Sequence, residues 1–270
     1  MNTIPYKWHL DGSDHALELV HVAGTAGRPF RFGEGTSTRE VEVPDFFIAT
    51  TLVTQALWTR VLGAGSNQSA HRGPRLPVEN VSWDHITAPD GFLAKINASC
   101  VLQELRTQLP AHPRAFFRLP SETEWEYAAR GGPHWPDGFR YSGSNDIDAV
   151  AWYELNSGPR LGRALILFLS RLIRKRPPTQ THAVATKAPN QVLLYDMSGN
   201  LWEWCQDGYT PDVRNIPADG RPFVGPGEER VLRGGCHHNW AILCTVSKRY
   251  SICPDAHDGC LGFRLVLTID

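Results

Sequence analysis

The chain has no excess of charge of either sign: 27 Lys and Arg stand against 28 Asp and Glu, a formal net charge of −1. That balance excludes a broad electrostatic pull toward nucleic acid or an anionic membrane, and no nucleic-acid partner is expected. Near its start the chain also lacks a continuous apolar run. The opening MNTIPYKWHLDGSDHALELVHVAGT scatters polar and charged residues where a signal peptide would carry its hydrophobic stretch, so a cytoplasmic home is the default expectation. Cysteine is sparse, 6 in 270 residues, which excludes a disulfide-stapled scaffold. No two cysteines have CxxC spacing and no histidines have HxxxH spacing, so neither a zinc site nor a redox site is indicated, and the six are read as thiols.

What the chain has in quantity is tryptophan (9), glycine (24) and proline (20). Large flat side chains among many turn formers suit short elements joined by long structured loops better than a helical bundle. With 41% hydrophobic and 20% charged residues, 270 residues are enough for one large core or two small ones. Alternation of apolar and polar residues from Leu17 toward the Pro44-Asp45 turn reads as strand. From Thr54 the spacing turns helical, with Val53, Leu57 and Val61 on one face and Gly63 as a stop. Phe92, Ile96, Cys100 and Leu105 recur as in a second helix that Pro110 closes. In FRLPSETEWEYAARGG, Ser121 caps a third helix, Glu124 completes a capping box, and Gly131-Gly132 end it.

Between about 159 and 180, PRLGRALILFLSRLIRKRPPTQ places Leu161, Ala164, Leu165, Phe168 and Leu172 on one helical face, with six basic residues from Arg160 to Arg176 and no acid. The apolar run is well short of the ~20 residues that cross a bilayer. Packing against the core or another subunit, or contact with an anionic partner, are the readings this pattern leaves open.

The order of VTQALWTRVLG, PVENVSWDHI, FRLPSETEWEYAARGG, YSGSNDIDAVAWYELNSG, YDMSGNLWEWCQD, RVLRGG and GFRLVL resembles the formylglycine-generating-enzyme (sulfatase-modifying factor) family from about Leu17 to Leu267. The resemblance implies one α+β domain over 1–270 of C-type-lectin-like architecture, poor in regular elements, with N- and C-terminal strands paired and the basic stretch as an insertion. In YDMSGNLWEWCQD, Asp196, Asn200 and Glu203 offer hard oxygen ligands of the kind calcium takes. The family implies a structural Ca²⁺ around Asp196, Gly199, Leu201 and Glu203, backbone carbonyls included. A polar turn bonding its own backbone is the alternative.

The family's oxidase chemistry implies two cysteines five apart that hold Cu(I), and a serine after the GG pair. Here Asn239 and Cys244 stand at the thiol positions and Cys236 stands where the serine belongs, so the catalytic site is incomplete and no catalytic cofactor is expected. The iron site of related sulfoxide synthases resembles HxxxHxE, a spacing that His9, His15 and His21 lack. Adjacent His237 and His238 would point to opposite faces of a strand.

Between GG and GFR the family pattern is rich in asparagine. Here Cys244, Arg249, Pro254, Asp255, Gly262, Phe263 and Arg264 keep its register while the positions between are replaced. That arrangement resembles the variable proteins of diversity-generating retroelements, in which adenine-targeted mutagenesis turns AAY codons into codons for many residues. Of the types such codons do not reach, the segment holds Trp240 and Lys248; four of the six cysteines also fall there. The expectation is a non-catalytic binder of a protein or other macromolecule whose variable face spans about 236–260. Its contacts are expected from His237, His238, Asn239, Trp240, Ile242, Leu243, Tyr250, Ser251, Ile252, His257 and Asp258, a mix of rigid aromatic and adaptable polar groups. The alternatives are a metal-dependent oxidase of the same family, and an interaction module acting through the basic helix 160–176.

Overall fold

A computed structural model describes residues 2–10, 12–158, 179–225 and 227–269. The basic stretch read as an insertion lies almost wholly outside these residues. Among the described residues, no helix is long and apolar enough to cross a membrane.

Strand β1 (Thr3–Leu10) pairs antiparallel with β2 (Ser13–Val22), and a small hairpin follows from β3 (Phe30–Glu34) and β4 (Ser37–Val41). Strand β5 (Phe46–Ala49) leads into α1 (Gln55–Leu62), capped by the Thr54 hydroxyl and stopped at Gly63 as its spacing predicts. Then come α2 (Trp83–Thr87), α3 (Phe92–Asn97), α4 (Cys100–Gln108), β6 (Phe116–Arg118), α5 (Glu122–Ala129) and the single turn α6 (Ile147–Val150). The last part supplies β7 (Trp202–Gly208), β8 (Arg230–Arg233), β9 (Arg249–Ile252), β10 (Leu261–Gly262) and β11 (Val266–Thr268).

The main sheet has the order β1-β2-β5-β11-β6, so the N- and C-terminal strands share a sheet but do not pair; β5 lies between β2 and β11. Side chains alternate across its faces, and each face belongs to a different core. Leu17, Leu19, Phe47, Ala49, Leu265 and Leu267 pack toward α1, α3 and α4. Val20, Val22, Phe46, Ile48 and Val266 pack toward Trp125, Tyr127 and Ala128 of α5. A strand buried on both faces needs apolar residues throughout, which is what FFIA of β5 provides. The second sheet, β10-β7-β8-β9, is shared in the same way: Trp202, Trp204 and Leu232 join the first core, and Cys205 and Val231 the second.

The helix expected through Phe92 and Leu105 is two helices, broken at Ala98 and Ser99. Asn97 explains the break: its amide donates to the Phe117 carbonyl (2.8 Å) and accepts from the Phe117 N–H (2.8 Å), tying the end of α3 to β6. The Ser99 hydroxyl takes the Ile96 carbonyl at 2.6 Å, a local bond that competes with helix continuation. Helix α5 has the capping box its sequence announces, with Ser121 and Glu124 bonding reciprocally. Such a cap contributes about 1 kcal/mol and fixes where α5 begins.

Candidate functional site

The segment from Cys236 to Cys260 leaves β8 through Gly234 and Gly235, both at positive φ (93° and 75°). A Cβ on Gly235 would sit 2.7 Å from the Leu243 carbonyl oxygen and 2.8 Å from Cys244 Sγ, so only glycine lets the chain fold back this tightly. Asn239 closes the turn that follows: its N–H donates to the Cys236 carbonyl and its side-chain oxygen accepts from the Cys236 N–H, each at 2.9 Å. The chain then makes a short 3-10 turn at Ala241–Leu243, passes buried Cys244, Thr245 and Val246, and returns as β9 against β8.

Beneath this segment lies a frame of buried ions. Glu122, fully buried on the first turn of α5, accepts from Arg233 Nη1 (2.9 Å) and from Arg249 Nε (2.6 Å) and Nη2 (2.7 Å). Arg233 also donates from Nη2 to Glu126 and to the Val246 carbonyl, both at 2.6 Å. Arg264, just before β11, holds both oxygens of Glu203 (2.6 and 2.7 Å) and donates to the backbone at Ala49 and Tyr195. Arg233 and Arg249 thus tie the segment and its upstream flank to α5, and Arg264 ties the downstream flank to β7, work that planar forked donors suit. No local spacing encodes this frame as a unit. Arg249 and Arg264 stand out in the sequence only as positions that keep register, and Glu122, more than a hundred residues away in sequence from both Arg233 and Arg249, gives no local signal.

The side chains expected to bind ligand fall into groups. Trp240, Ile242 and Tyr250 are the large apolar residues left outward, 45%, 62% and 50% exposed. His257 and Asp258 are also exposed, and the His257 ring lies 5.8 Å from that of His85. Tyr250 stacks on buried Trp202 (5.5 Å between ring centroids). Leu243 and Ile252 are half-buried against the first core, and Asn239 is absorbed by its turn. On β9, Ser251 points to the face opposite Tyr250, as alternation requires, and its hydroxyl donates to Glu229 (2.6 Å). His238 is half-buried with Nδ1 3.0 Å from the Thr179 hydroxyl. His237 is buried: Nε2 lies 3.2 Å from the Gly259 carbonyl and Nδ1 3.1 Å from the same Thr179 hydroxyl. The expectation of one shared face is therefore corrected for three residues: a turn rather than a strand turns His237 inward, Asn239 is spent on that turn, and Ser251 faces away from Tyr250.

Asp196, Gly199, Leu201 and Glu203 do not fit a calcium ion as a set. Glu203 is fully committed, Oε1 to Arg264 and Oε2 to both Arg264 and Trp125 Nε1 (2.9 Å). Asp196 accepts from the Ala185 N–H (2.9 Å) and the Asn200 amide (3.4 Å), and burial pushes its carboxyl up to about 6. That is the turn-stabilising alternative: Asp196 and Asn200 sit at positive φ (58° and 63°), which short polar side chains tolerate. Among the described residues, no group of three or more His, Cys, Asp or Glu is placed to hold a metal.

At the positions where the oxidase resemblance implies thiols, Asn239 is locked in its turn and Cys244 is buried among Tyr141, Val150, Ala151 and Tyr153. Burial pushes the Cys244 thiol up to about 12, away from the thiolate that a soft metal ligand or nucleophile needs.

Two sheets joined by capped turns and a buried arginine frame make this an α+β protein of formylglycine-generating-enzyme-like fold. The chain belongs to the family of the sulfatase-modifying factor enzyme 1-like domain, which it matches over residues 18–269. It is 32% identical over 261 residues to the formylglycine-generating enzyme of Streptomyces coelicolor, covering 91% of this chain and 72% of that enzyme. It is also 32% identical over 210 residues to the chaperone protein LppX of Paenibacillus barcinonensis, covering 72% of each. Within the family it resembles a variable protein: the solved structure of Treponema denticola variable protein 1 superposes with a TM-score of 0.71 at 26% identity, covering 97% of this chain and 98% of that one.

Proposed function

We propose that the chain is a non-catalytic ligand-binding protein that displays a diversified face, residues 236–260, on a C-type-lectin-like scaffold. The observation that carries this reading is end-to-end likeness to a variable protein, combined with the division of labour inside the segment. Arg233, Arg249 and Arg264 hold the backbone from below, while Trp240, Ile242, Tyr250, His257 and Asp258 are exposed and make no bond to those arginines. Side chains that carry no share of the frame can change without unfolding it, the requirement of a face that is rewritten. The ligand would be a protein or another macromolecule, engaged by rigid aromatic area flanked by adaptable polar groups.

The genome tests this. A near-copy of the 3′ coding segment downstream of the gene, differing almost only at adenines and lying beside a reverse transcriptase gene, is the expected finding. Absence of such a repeat counts against diversification.

The identity to a formylglycine-generating enzyme favours a second reading, an oxidase of the same family. Its paired thiols are reduced to one at those positions, and that one is held protonated. Incubation with copper and a cysteine-containing peptide under oxygen should yield no aldehyde; aldehyde formation would establish the oxidase instead.

A further inference from the structure

The cysteines that begin and end the segment meet in space. Cys236 Sγ lies 2.7 Å from Cys260 Sγ, although the two are 24 positions apart in the chain. No local spacing could have shown this. Cys236 is buried and Cys260 is half-buried against the first core, so Cys260 is the more accessible of the two. His237 follows Cys236 in sequence and meets Cys260 in space, its Nε2 on the carbonyl of Gly259. Glu79, fully buried, faces the same spot: a Cβ on Gly259 would lie 3.4 Å from Glu79 Oε2, which has no hydrogen-bond partner. Beside it, the His71 ring stands 6.3 Å from that of His237.

The electrostatics separate the two sulfurs. The hydrogen bond from Cys236 pulls Cys260 down to about 6, against a burial that raises it, and His237 adds to the pull. Burial drives the Cys236 thiol well up. For His237, burial alone would lower its pKa, but Cys260, the Gly259 carbonyl and Glu79 together raise it. A half-buried thiolate beside a histidine, backed by a protonated thiol, is the arrangement that thiol–disulfide exchange uses.

We propose that Cys236 and Cys260 form a reactive dithiol that reduces small-molecule disulfides of the glutathione type and thereby closes a covalent tie across the two ends of the segment. The Cys260 thiolate attacks one sulfur of RSSR, the S–S bond breaks, and RS⁻ leaves and takes a proton. Cys236 gives its proton to solvent and attacks Cys260 Sγ in the mixed disulfide, so the Cys236–Cys260 bond forms and the second RSH departs. Two protein thiols lose two electrons and RSSR becomes two RSH. This inference holds whether or not the segment is diversified.

Reduced full-length protein is treated with oxidised glutathione, remaining thiols are blocked, and digested peptides are identified by mass. A Cys236–Cys260 cross-link is expected to accumulate before exposed Cys100 and Cys253 carry glutathione. Cys236→Ser should trap glutathione on Cys260, and Cys260→Ser should leave Cys236 unreacted. Recovery of both thiols reduced after Cys253 has reacted, or no glutathione on Cys260 in Cys236→Ser, overturns the proposal. On the unmodified chain, iodoacetamide labelling of Cys260 should be half-maximal near pH 6. A rate that is still climbing through pH 8.5, the range of an ordinary thiol, overturns it as well.

Discussion

Replacing Glu122 by Gln removes one charge from the frame while keeping its shape. Glu122 serves two guanidinium groups through three bonds of 2.6–2.9 Å, and neither its own side chain nor that of Arg233 has any exposure. In Glu122→Gln, Arg233 retains Glu126, and Arg249 is left with the Thr210 carbonyl at 2.9 Å and no carboxylate of its own. Breaking a buried pair by neutralising one partner costs about 3–5 kcal/mol, because the other charge stays buried without compensation. For a chain of this size that lowers Tm by roughly 6–20 °C. The comparison is Ile242→Ser and Tyr250→Ser on the outward face. Ile242 is mostly exposed, and its replacement should cost no more than about 0.5 kcal/mol. Tyr250 loses its stacking on Trp202, about 1 kcal/mol. Urea denaturation at constant m-value separates these magnitudes. A Glu122→Gln loss under 1 kcal/mol, or an Ile242→Ser loss above 3, would refute the division between frame and face.

Further outcomes follow from single positions. Gly235→Ala should destabilise by about 2 kcal/mol or more in the same assay, since its φ of 75° is left-handed and the added carbon meets the Leu243 carbonyl oxygen at 2.7 Å. Asp196 has a folded pKa raised to about 6 from 3.8, so the stability its proton confers is fully present below pH 4 and is lost as pH rises toward 6. Between pH 4 and pH 7 the stability of Asp196→Asn relative to wild type should therefore improve by about 2 kcal/mol; a pH-independent difference would rule out the shift. Because Glu203 is spent on Arg264, millimolar Ca²⁺ or EDTA should leave Tm unchanged, whereas a Ca²⁺-dependent rise would show that the carboxylate is released to a metal.

Much of the scaffold was legible in short stretches. Thr54, Gly63, Ser121 and Glu124 announce helix ends because capping acts over three or four residues, within reach of a local reading. The break at Ala98–Ser99 was not legible, because Asn97 is claimed by Phe117 twenty residues further on. Strand alternation in β2 was visible, but the insertion of β5 between β2 and β11 depends on pairings that local spacing does not encode. The same limit separates the parts of the site. Outward Trp240, Ile242 and Tyr250 stand out as aromatic and aliphatic residues in a polar family pattern. The inward turn of His237 and the meeting of Cys236 with Cys260 depend on positive φ at Gly234 and Gly235, which redirects the chain before the segment starts.

The most direct test of a rewritten face on a fixed frame is deep sequencing of the 3′ coding segment across a population of cells carrying this gene. Adenine-derived substitutions are predicted at the codons of Ile242, Tyr250, His257 and Asp258, with Arg233, Arg249 and Arg264 unchanged. A uniform segment in the presence of an active reverse transcriptase, or substitutions falling equally on the three arginines, would contradict it.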